Sequence, residues 1–516
     1  MAMHLPLPPE IWHRTPREAQ DYILALEARV AALEATVQEL RERVQQDSRT
    51  SSRPPSSDPP ARQRPRRQPS GRRRGGQPGH PGQTRTLVPM EDVDVVIPLK
   101  PKACARCQQP LAGEDPQPQR HQVVEIPPLK PVVTEYQVHQ LVCAACGATT
   151  RAAWPEGVPS GVYGPRVQAL VALCTGAYRL SKRTTQQLLD DLFGVSMSLG
   201  TIPSLEAATA QAVAVPVAEA RAYVQQQASV SMDETGWRQG RQRAWLWAAV
   251  TEGVTVFLVR LSRGGQVVRE LLGKPFRGIL VTDRFSAYNW YPVRWRQLCW
   301  AHLLRDIEAM IARGGRSQEL GEALRDEAHR MFHWWHRVRD GTLKRSSFRN
   351  YMTPVRRKVE ELLEAGTRCG HPKTAGVCRE LLKLHQALWT FVHLEGVEPT
   401  NNAAERALRP GVLWRKGSFG TQSAQGSRFV ESMMTVVTTL KQQRRNPLAY
   451  LTGACEAALR GEGGTLLAAH RRPAHASGQR HNPLPHLNGY WVLSPARLWP
   501  PFAGAGPAGG VSGAGS

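Results

Sequence analysis

Long apolar runs are missing from this sequence. No stretch of about 18 uncharged apolar residues occurs, the length a helix needs to cross a bilayer, so no membrane span is expected. The start of the chain, Met-Ala-Met-His-Leu-Pro-Leu-Pro-Pro-Glu, holds no continuous apolar core of the kind that marks a secretory leader. Neither a basic amphipathic helix nor a lipidation signal is found, which leaves an anionic membrane surface unsupported as a partner. Cysteine is scarce and odd in number: nine in 516 residues, four of them in two Cys-x-x-Cys pairs. Cys174, Cys299, Cys369, Cys378 and Cys455 are scattered. That usage excludes a disulfide scaffold and fits a reduced cytosolic protein with one metal site. Acid is the third shortage. Against 67 Lys+Arg stand 43 Asp+Glu, giving a net charge of +24. Such a field concentrates polyanions, so DNA or RNA is the first partner to consider. Hydrophobic residues make up 41%, enough for globular cores, and 516 residues are too many for one core.

The chain changes character along its length. Ile23, Leu26, Val30, Leu33, Val37, Leu40 and Val44 step by three and four, with β-branched residues at every a position and Leu at every d. This predicts a coiled coil over 18–47 of the parallel two-stranded type, and so a second copy of the chain. An amphipathic helix packed on its own domain is the plainer alternative. Residues 48–88 are a basic arm. Between Ser51 and Thr86 lie nine arginines, among them Arg72, Arg73 and Arg74, and a single acid, Asp58. Pro, Gly, Ser and Gln fill the rest, so the arm is expected to be disordered, a linker that also neutralises phosphates. Cys104-Ala-Arg-Cys107 and Cys143-Ala-Ala-Cys146 follow. Each pair can form a knuckle, and Cys104, Cys107, Cys143 and Cys146 together can hold one tetrahedral Zn²⁺. A small β-rich module over 95–152 is expected, with Val132–Val138 among its strands. Residues 160–225 read as helices whose spacing resembles helix-turn-helix, a weak DNA-binding signal.

From Ser229 the pattern turns to strands. Ser229–Asp233 is one, and Arg243–Thr251 with Val254–Arg260 form a hairpin around Glu252-Gly253. Gly278–Asp283, apolar on both faces, reads as a buried parallel strand. A short strand over 296–300 precedes a helix beginning near His302. Residues 303–399 form a helical insertion. The expected core is a mixed sheet over 226–302, completed by helices over 400–445. The tail at 460–516 is low in complexity and rich in Pro, Gly and Ala.

Three acids stand at chosen places in this plan. Asp233 lies on the first core strand, Asp283 ends the buried strand, and Glu405 opens the helix after the insertion. Carboxylates converging from separate elements can hold two Mg²⁺ or Mn²⁺ ions roughly 4 Å apart, which activate one oxygen and stabilise another at a phosphodiester. The order strand-Asp, strand-Asp, helix-Glu is that of a ribonuclease H-like nuclease or transposase core. Each acid also has a plainer reading: Asp233 and Asp283 as turn residues, Glu405 as a capping-box partner of Asn402. Glu234 is an alternative ligand, but strand alternation turns it away from the face of Asp233. His302 sits where the active edge of the sheet is expected, as a catalytic residue near the scissile phosphate or as a core histidine. Arg409 lies one turn beyond Glu405, to hold a phosphate or orient the carboxylate. Arg415 and Lys416 precede a loop, Gly417-Ser-Phe-Gly420, able to approach a DNA backbone or stand in solvent.

Several segments carry a family resemblance. They are Gly-Gly-Gln-Pro-Gly-His-Pro-Gly (75–82), the paired Cys-x-x-Cys, Met-Asp-Glu-Thr-Gly-Trp (232–237) and Asp-Arg-Phe-Ser-Ala-Tyr (283–288). Cys-Trp-Ala-His-Leu-Leu-Arg-Asp (299–306), Asn-Asn-Ala-Ala-Glu-Arg-Ala-Leu-Arg-Pro (401–410) and Asn-Pro-Leu-Ala-Tyr-Leu (446–451) continue the series. Together the chain resembles the DDE transposases of the insertion-sequence family "IS sixty-six" over roughly residues 20–455. The resemblance implies a multi-domain α/β protein: coiled coil, zinc-binding module and ribonuclease H-like core with a helical insertion before the last acid. It implies Mg²⁺-dependent cleavage at element ends, then joining of 3′-hydroxyls to target DNA. Expected partners are element-end and target DNA, a second copy of the chain and accessory proteins of the same element, in a bacterial cytoplasm at the nucleoid.

Overall fold

A computed structural model describes residues 8–45, 86–462 and Leu467. The basic arm, with Arg72, Arg73 and Arg74, and the tail expected at 460–516 fall almost wholly outside these residues. The chain divides into two units. One comprises Pro60–Ala152 and Gln186–Ser198; the other comprises Met1–Pro59, Ala153–Thr185 and Leu199–Ser516. No helix among the described residues is long and apolar enough to cross a membrane.

Among the described residues of the smaller unit, the strands are β1 (Gln140–Val142) and β2 (Thr149–Arg151), paired antiparallel. Val132–Val138, expected as a strand, joins no ladder. Pro127, Pro128 and Pro131 lie just before it, and prolines leave a ladder short of donors. Its β-branched side chains stay exposed, Val132 at 94% and Val133 at 87%, so local propensity finds no partner strand here.

In the larger unit a helix runs from Arg17 to Gln45. Leu26, Val30, Leu33, Val37 and Leu40 of the heptad seam all stand exposed on it. The centre of the unit is a five-stranded mixed sheet. Its strands are β3 (Ser229–Gln239), β4 (Gln242–Val250), β5 (Thr255–Arg260), β6 (Ile279–Thr282) and β7 (Arg296–Leu298), in the order β5-β4-β3-β6-β7. β3, β4 and β5 form an antiparallel meander, while β6 and β7 run parallel to β3. The first core strand is longer than its apolar start predicts. It continues through Trp237 to Gln239 and turns into β4 at Gly240, whose φ of +57° suits a two-residue hairpin.

Both faces of the sheet are covered, which explains why β4 reads as an unbroken apolar run. Trp247 and Ala249 face a cluster with Val224, Met433, Val436, Leu440 and Leu451. Ala244, Leu246, Ala248 and Val250 face Ala404, Leu408, Val430 and Met434. The second face is made by the helices Asn402–Ser418 and Ala424–Gln442. Gly411 lets the first of these lie close on the sheet, because a Cβ there would collide with Leu246. The insertion is helical, as expected. Trp300–Ile311, Gly315–Arg339, Arg345–Gly366 and Pro372–Lys383 enclose a core that Ile279, Val281 and Leu298 of the sheet share. Trp300 packs on Trp389 with ring centroids 5.1 Å apart, so the insertion is anchored at the sheet edge beside the candidate site.

Candidate active site

The register of β3 against β6 sets the first two acids. Ser229 pairs with Ile279 and Ser231 with Val281. Asp233 lies two residues further along β3, and Asp283 lies two residues past Val281, just beyond the end of β6, so alternation brings them to neighbouring positions on the same side. The third acid arrives on the Asn402–Ser418 helix. Asn401 pins the start of that helix. Its Nδ2 donates to the Met232 carbonyl (2.7 Å), one residue from Asp233, and its backbone N–H donates to Cys299 Sγ (3.1 Å). Asn401 is the cap position and no side-chain cap bond forms, so Glu405 is not part of a capping box.

The electrostatics record the convergence. Burial pushes the Asp233 carboxyl well above the usual carboxylate range, and the charges of Glu234, Asp283 and Glu405 push it further. Asp233 Oδ1 accepts the Glu234 N–H (3.0 Å), and Asp283 Oδ1 accepts the Phe285 N–H (2.9 Å). Glu405 Oε1 is buried without a hydrogen-bond partner, as is His302 Nδ1, which stands 3.5 Å from it. Cys299 Sγ closes this group: the donor atoms of Cys299, His302 and Glu405 all lie within 4.8 Å of one another. Burial pushes the Cys299 thiol up to about 12, so it is protonated and not a nucleophile.

Because folding raises the Asp233 carboxyl above its unfolded value, ionised Asp233 destabilises the metal-free fold. The penalty is absent below the unfolded pKa, near 4, and grows as pH rises through the folded value. Asp233→Asn is therefore expected to stabilise the protein in EDTA at pH 7 and to lose that advantage near pH 4. Thermal melts at both pH values check this; equal melting temperatures at pH 7 would contradict it.

Glu234 points the other way. Its side chain is 1% exposed; Oε1 accepts from Arg263 Nε (3.0 Å) and Nη2 (2.8 Å), and Oε2 accepts from the Tyr288 hydroxyl (2.9 Å). The Arg263 guanidinium lies over Phe285 at 3.9 Å and over Trp245 at 4.5 Å. Arg296, fully buried, donates to the Asp283 carbonyl (3.3 Å), the Thr282 hydroxyl (3.4 Å) and Asn289 Oδ1 (3.3 Å). Arg284 pairs with Asp306 at 2.8 Å. None of these basic residues was singled out by the sequence, where each is one of 67 Lys+Arg.

The other expected site residues are scattered. Arg409 and Lys416 are exposed. Arg415 instead lies against β3, where Nη1 donates to the Gly236 carbonyl and to Thr235 Oγ1. The cysteine pairs form two like turns. The Cys104 and Cys143 N–H groups donate to Gln109 and Ala148 carbonyls, both at 2.8 Å, and Gln108 and Gly147 take φ of +61° and +71°. In each turn backbone N–H groups, and then the second thiol, hold the first thiol below its ordinary pKa, which favours the thiolate a zinc ion needs. The two halves are not joined, however. Among the described residues, the gathered donors are those of Cys299, His302 and Glu405, not four thiols.

A basic chain with carboxylates from two neighbouring strands and a helix collected at one end of a mixed sheet has the layout of a DNA-processing enzyme. A sequence model of the transposase IS66 family matches residues 160–428, more than half of the chain, and the chain belongs to that family. A second model, of a family of unknown function, matches residues 6–86. A protein of Sinorhizobium fredii described as uncharacterized protein y4qI is 29% identical over 237 residues. That match covers 41% of this chain and 43% of the relative, so the chain spans less than half the relative's length.

Proposed function

We propose that this transposase cuts DNA at the ends of its element and joins the resulting 3′-hydroxyls to target DNA, with Asp233, Asp283 and Glu405 as the catalytic acids of a ribonuclease H-like core. The observation that carries the reading is the convergence of Asp233 on β3, Asp283 just past β6 and Glu405 on the neighbouring helix, close enough that the charges of Asp283 and Glu405 raise the Asp233 carboxyl. Three oxygen donors, one with a buried unpartnered atom, fit a hard divalent cation such as Mg²⁺ or Mn²⁺. Such an ion supplies Lewis-acid polarisation of the phosphodiester and an activated oxygen nucleophile. The chain's own residues do the rest. The register of β3 and β6 orients Asp233 beside Asp283, Asn401 fixes the approach of Glu405, and His302 positions the Glu405 carboxylate. Arg409 and Lys416, exposed on the same helix as Glu405, bind phosphates, as do Arg72, Arg73 and Arg74. The helical region over 160–225 and the cysteine module grip the element ends, and Zn²⁺ on Cys104, Cys107, Cys143 and Cys146 would draw the two separate turns together.

The test uses the DNA that flanks the gene, where a transposable element is expected to carry inverted repeats. Uncut ends are expected to be nicked only with Mg²⁺ or Mn²⁺, and pre-cut ends to be joined to a target. Cleavage without joining would make the protein a nuclease of the same core; binding without either would make it a regulator. A parallel coil over 18–47 holds two copies on paired ends. Leu26→Asp with Leu33→Asp is expected to turn a dimer into a monomer in sedimentation and to abolish paired-end complexes while leaving the melting of the core unchanged. An unchanged dimer would remove the coil from this scheme.

A further inference from the structure

We propose that Cys299, His302 and Glu405 form a second metal site, selective for a borderline-soft divalent ion of the Zn²⁺ type, and that filling it withdraws Glu405 from the acidic triad and stops cleavage. The sulfur, imidazole nitrogen and carboxylate oxygen lie within 4.8 Å of one another. His302 Nδ1 and Glu405 Oε1 are buried and face each other at 3.5 Å, within ion-pair range, and neither makes a hydrogen bond. A buried polar atom without a hydrogen bond is costly, and one cation between these two satisfies both.

The three donors are held by rigid elements. Cys299 caps the Trp300–Ile311 helix and His302 lies in its first turn. Glu405 comes from the Asn402–Ser418 helix, and the Asn401 N–H bond to Cys299 Sγ ties the two helix starts together. One sulfur, one nitrogen and one oxygen with a fourth position open is the donor set of three-ligand zinc centres. Mg²⁺ prefers six oxygens in a strict octahedron and gains nothing from thiol or imidazole. Binding is a ligand exchange without redox change: the Cys299 S–H bond breaks, a metal–sulfur bond forms, and the proton leaves to solvent. Glu405 then belongs to either the hard set with Asp233 and Asp283 or the soft set with Cys299 and His302. The binding claim stands on these residues alone; the inhibition claim rests also on the reading of Glu405 as the third catalytic acid.

The experiment titrates metal-stripped full-length protein with Zn²⁺ against a chromophoric chelator, comparing wild type with Cys299→Ser. The variant is expected to bind one equivalent fewer. Zinc on Cys104, Cys107, Cys143 and Cys146 is common to both proteins and cancels in the difference. Cys299→Ala serves in its place if Ser disturbs the melting profile. Equal stoichiometry in wild type and a folded variant overturns the site. With Mg²⁺ and element-end DNA present, Zn²⁺ is expected to inhibit wild type at a concentration at least tenfold below that needed for the variant. Equal inhibition overturns the switch while the lost equivalent upholds the site. If neither protein cleaves DNA, the transposition reading fails, and the stoichiometry still decides the site.

Discussion

On the proposed reading of Asp283 as a catalytic acid, Asp283→Ala is expected to lower metal-dependent cleavage and joining of element-end DNA by about 10³-fold or more, and to leave DNA affinity within about twofold, since a single preorganised electrostatic group is worth roughly 10²–10³ in rate and the carboxylate would also help to hold the divalent ion. The structural bonds of this residue survive the change or cost little. Arg296 bonds the Asp283 main-chain carbonyl, which Ala retains. The side chain's own structural bond is to the Phe285 N–H, a turn bond worth about 1 kcal/mol. The variant should therefore fold, and its circular dichroism and melting should stay near those of wild type. Asp283→Asn keeps the shape and turn bond but halves the oxygen donors and removes the charge, so it should fail almost as fully. Cleavage by a folded Asp283→Ala protein within tenfold of wild type would remove this residue from the site.

What the sequence revealed and what it concealed follow one physical division. Features written into local periodicity were legible. The alternation of Ser-Met-Asp-Glu set Asp233 and Glu234 on opposite faces, and the structure gives Glu234 a buried ion pair there. The apolar run Ile279–Thr282 announced a strand covered on both sides. The Cys-x-x-Cys spacing announced two knuckle turns, because such a turn closes within a few residues. Features that depend on tertiary approach were not legible. Arg263 reaches Glu234 across 29 positions, and Asn401 reaches Met232 across 169. Nothing local to Arg263 marks it, and the motif that opens at Asn401 does not tell what its side chain reaches. Val132–Val138 shows the converse case. Its β-branched residues predict a strand, but a strand needs a neighbour, and the chain supplies none there.

Arg263→Ala is expected to cost about 2–3 kcal/mol at pH 7, and the loss should depend on pH in a defined direction. Removing one partner of a buried ion pair commonly costs about 3–5 kcal/mol; Arg263 is 43% exposed, so water entering the gap should reduce the figure. Burial already raises the Glu234 carboxyl, the charge of Asp283 raises it further, and Arg263 and Tyr288 pull it down. Without Arg263 the folded value climbs higher above the unfolded one, near 4.3. A carboxyl with a raised folded pKa favours the fold most below the unfolded value and least once pH has passed the folded value. The variant should thus lie nearest wild type at about pH 4–5 and furthest from it at about pH 8. Adding Glu234→Gln to Arg263→Ala should recover most of the loss at pH 8, since a neutral amide leaves no stranded charge. Urea unfolding of the single and double variants at both pH values measures this, and a loss equal at both, or untouched by Glu234→Gln, would sink it. The consequence reaches the catalytic edge, because Asp233 and Glu234 are consecutive on β3 and one roll of the strand sets both. The pairing of β3 with β4 and β6 sets the face Asp233 takes, and the anchor of Glu234 between Arg263 and Tyr288 reinforces it, so the same variant is expected to lose some cleavage even at pH values where it remains folded.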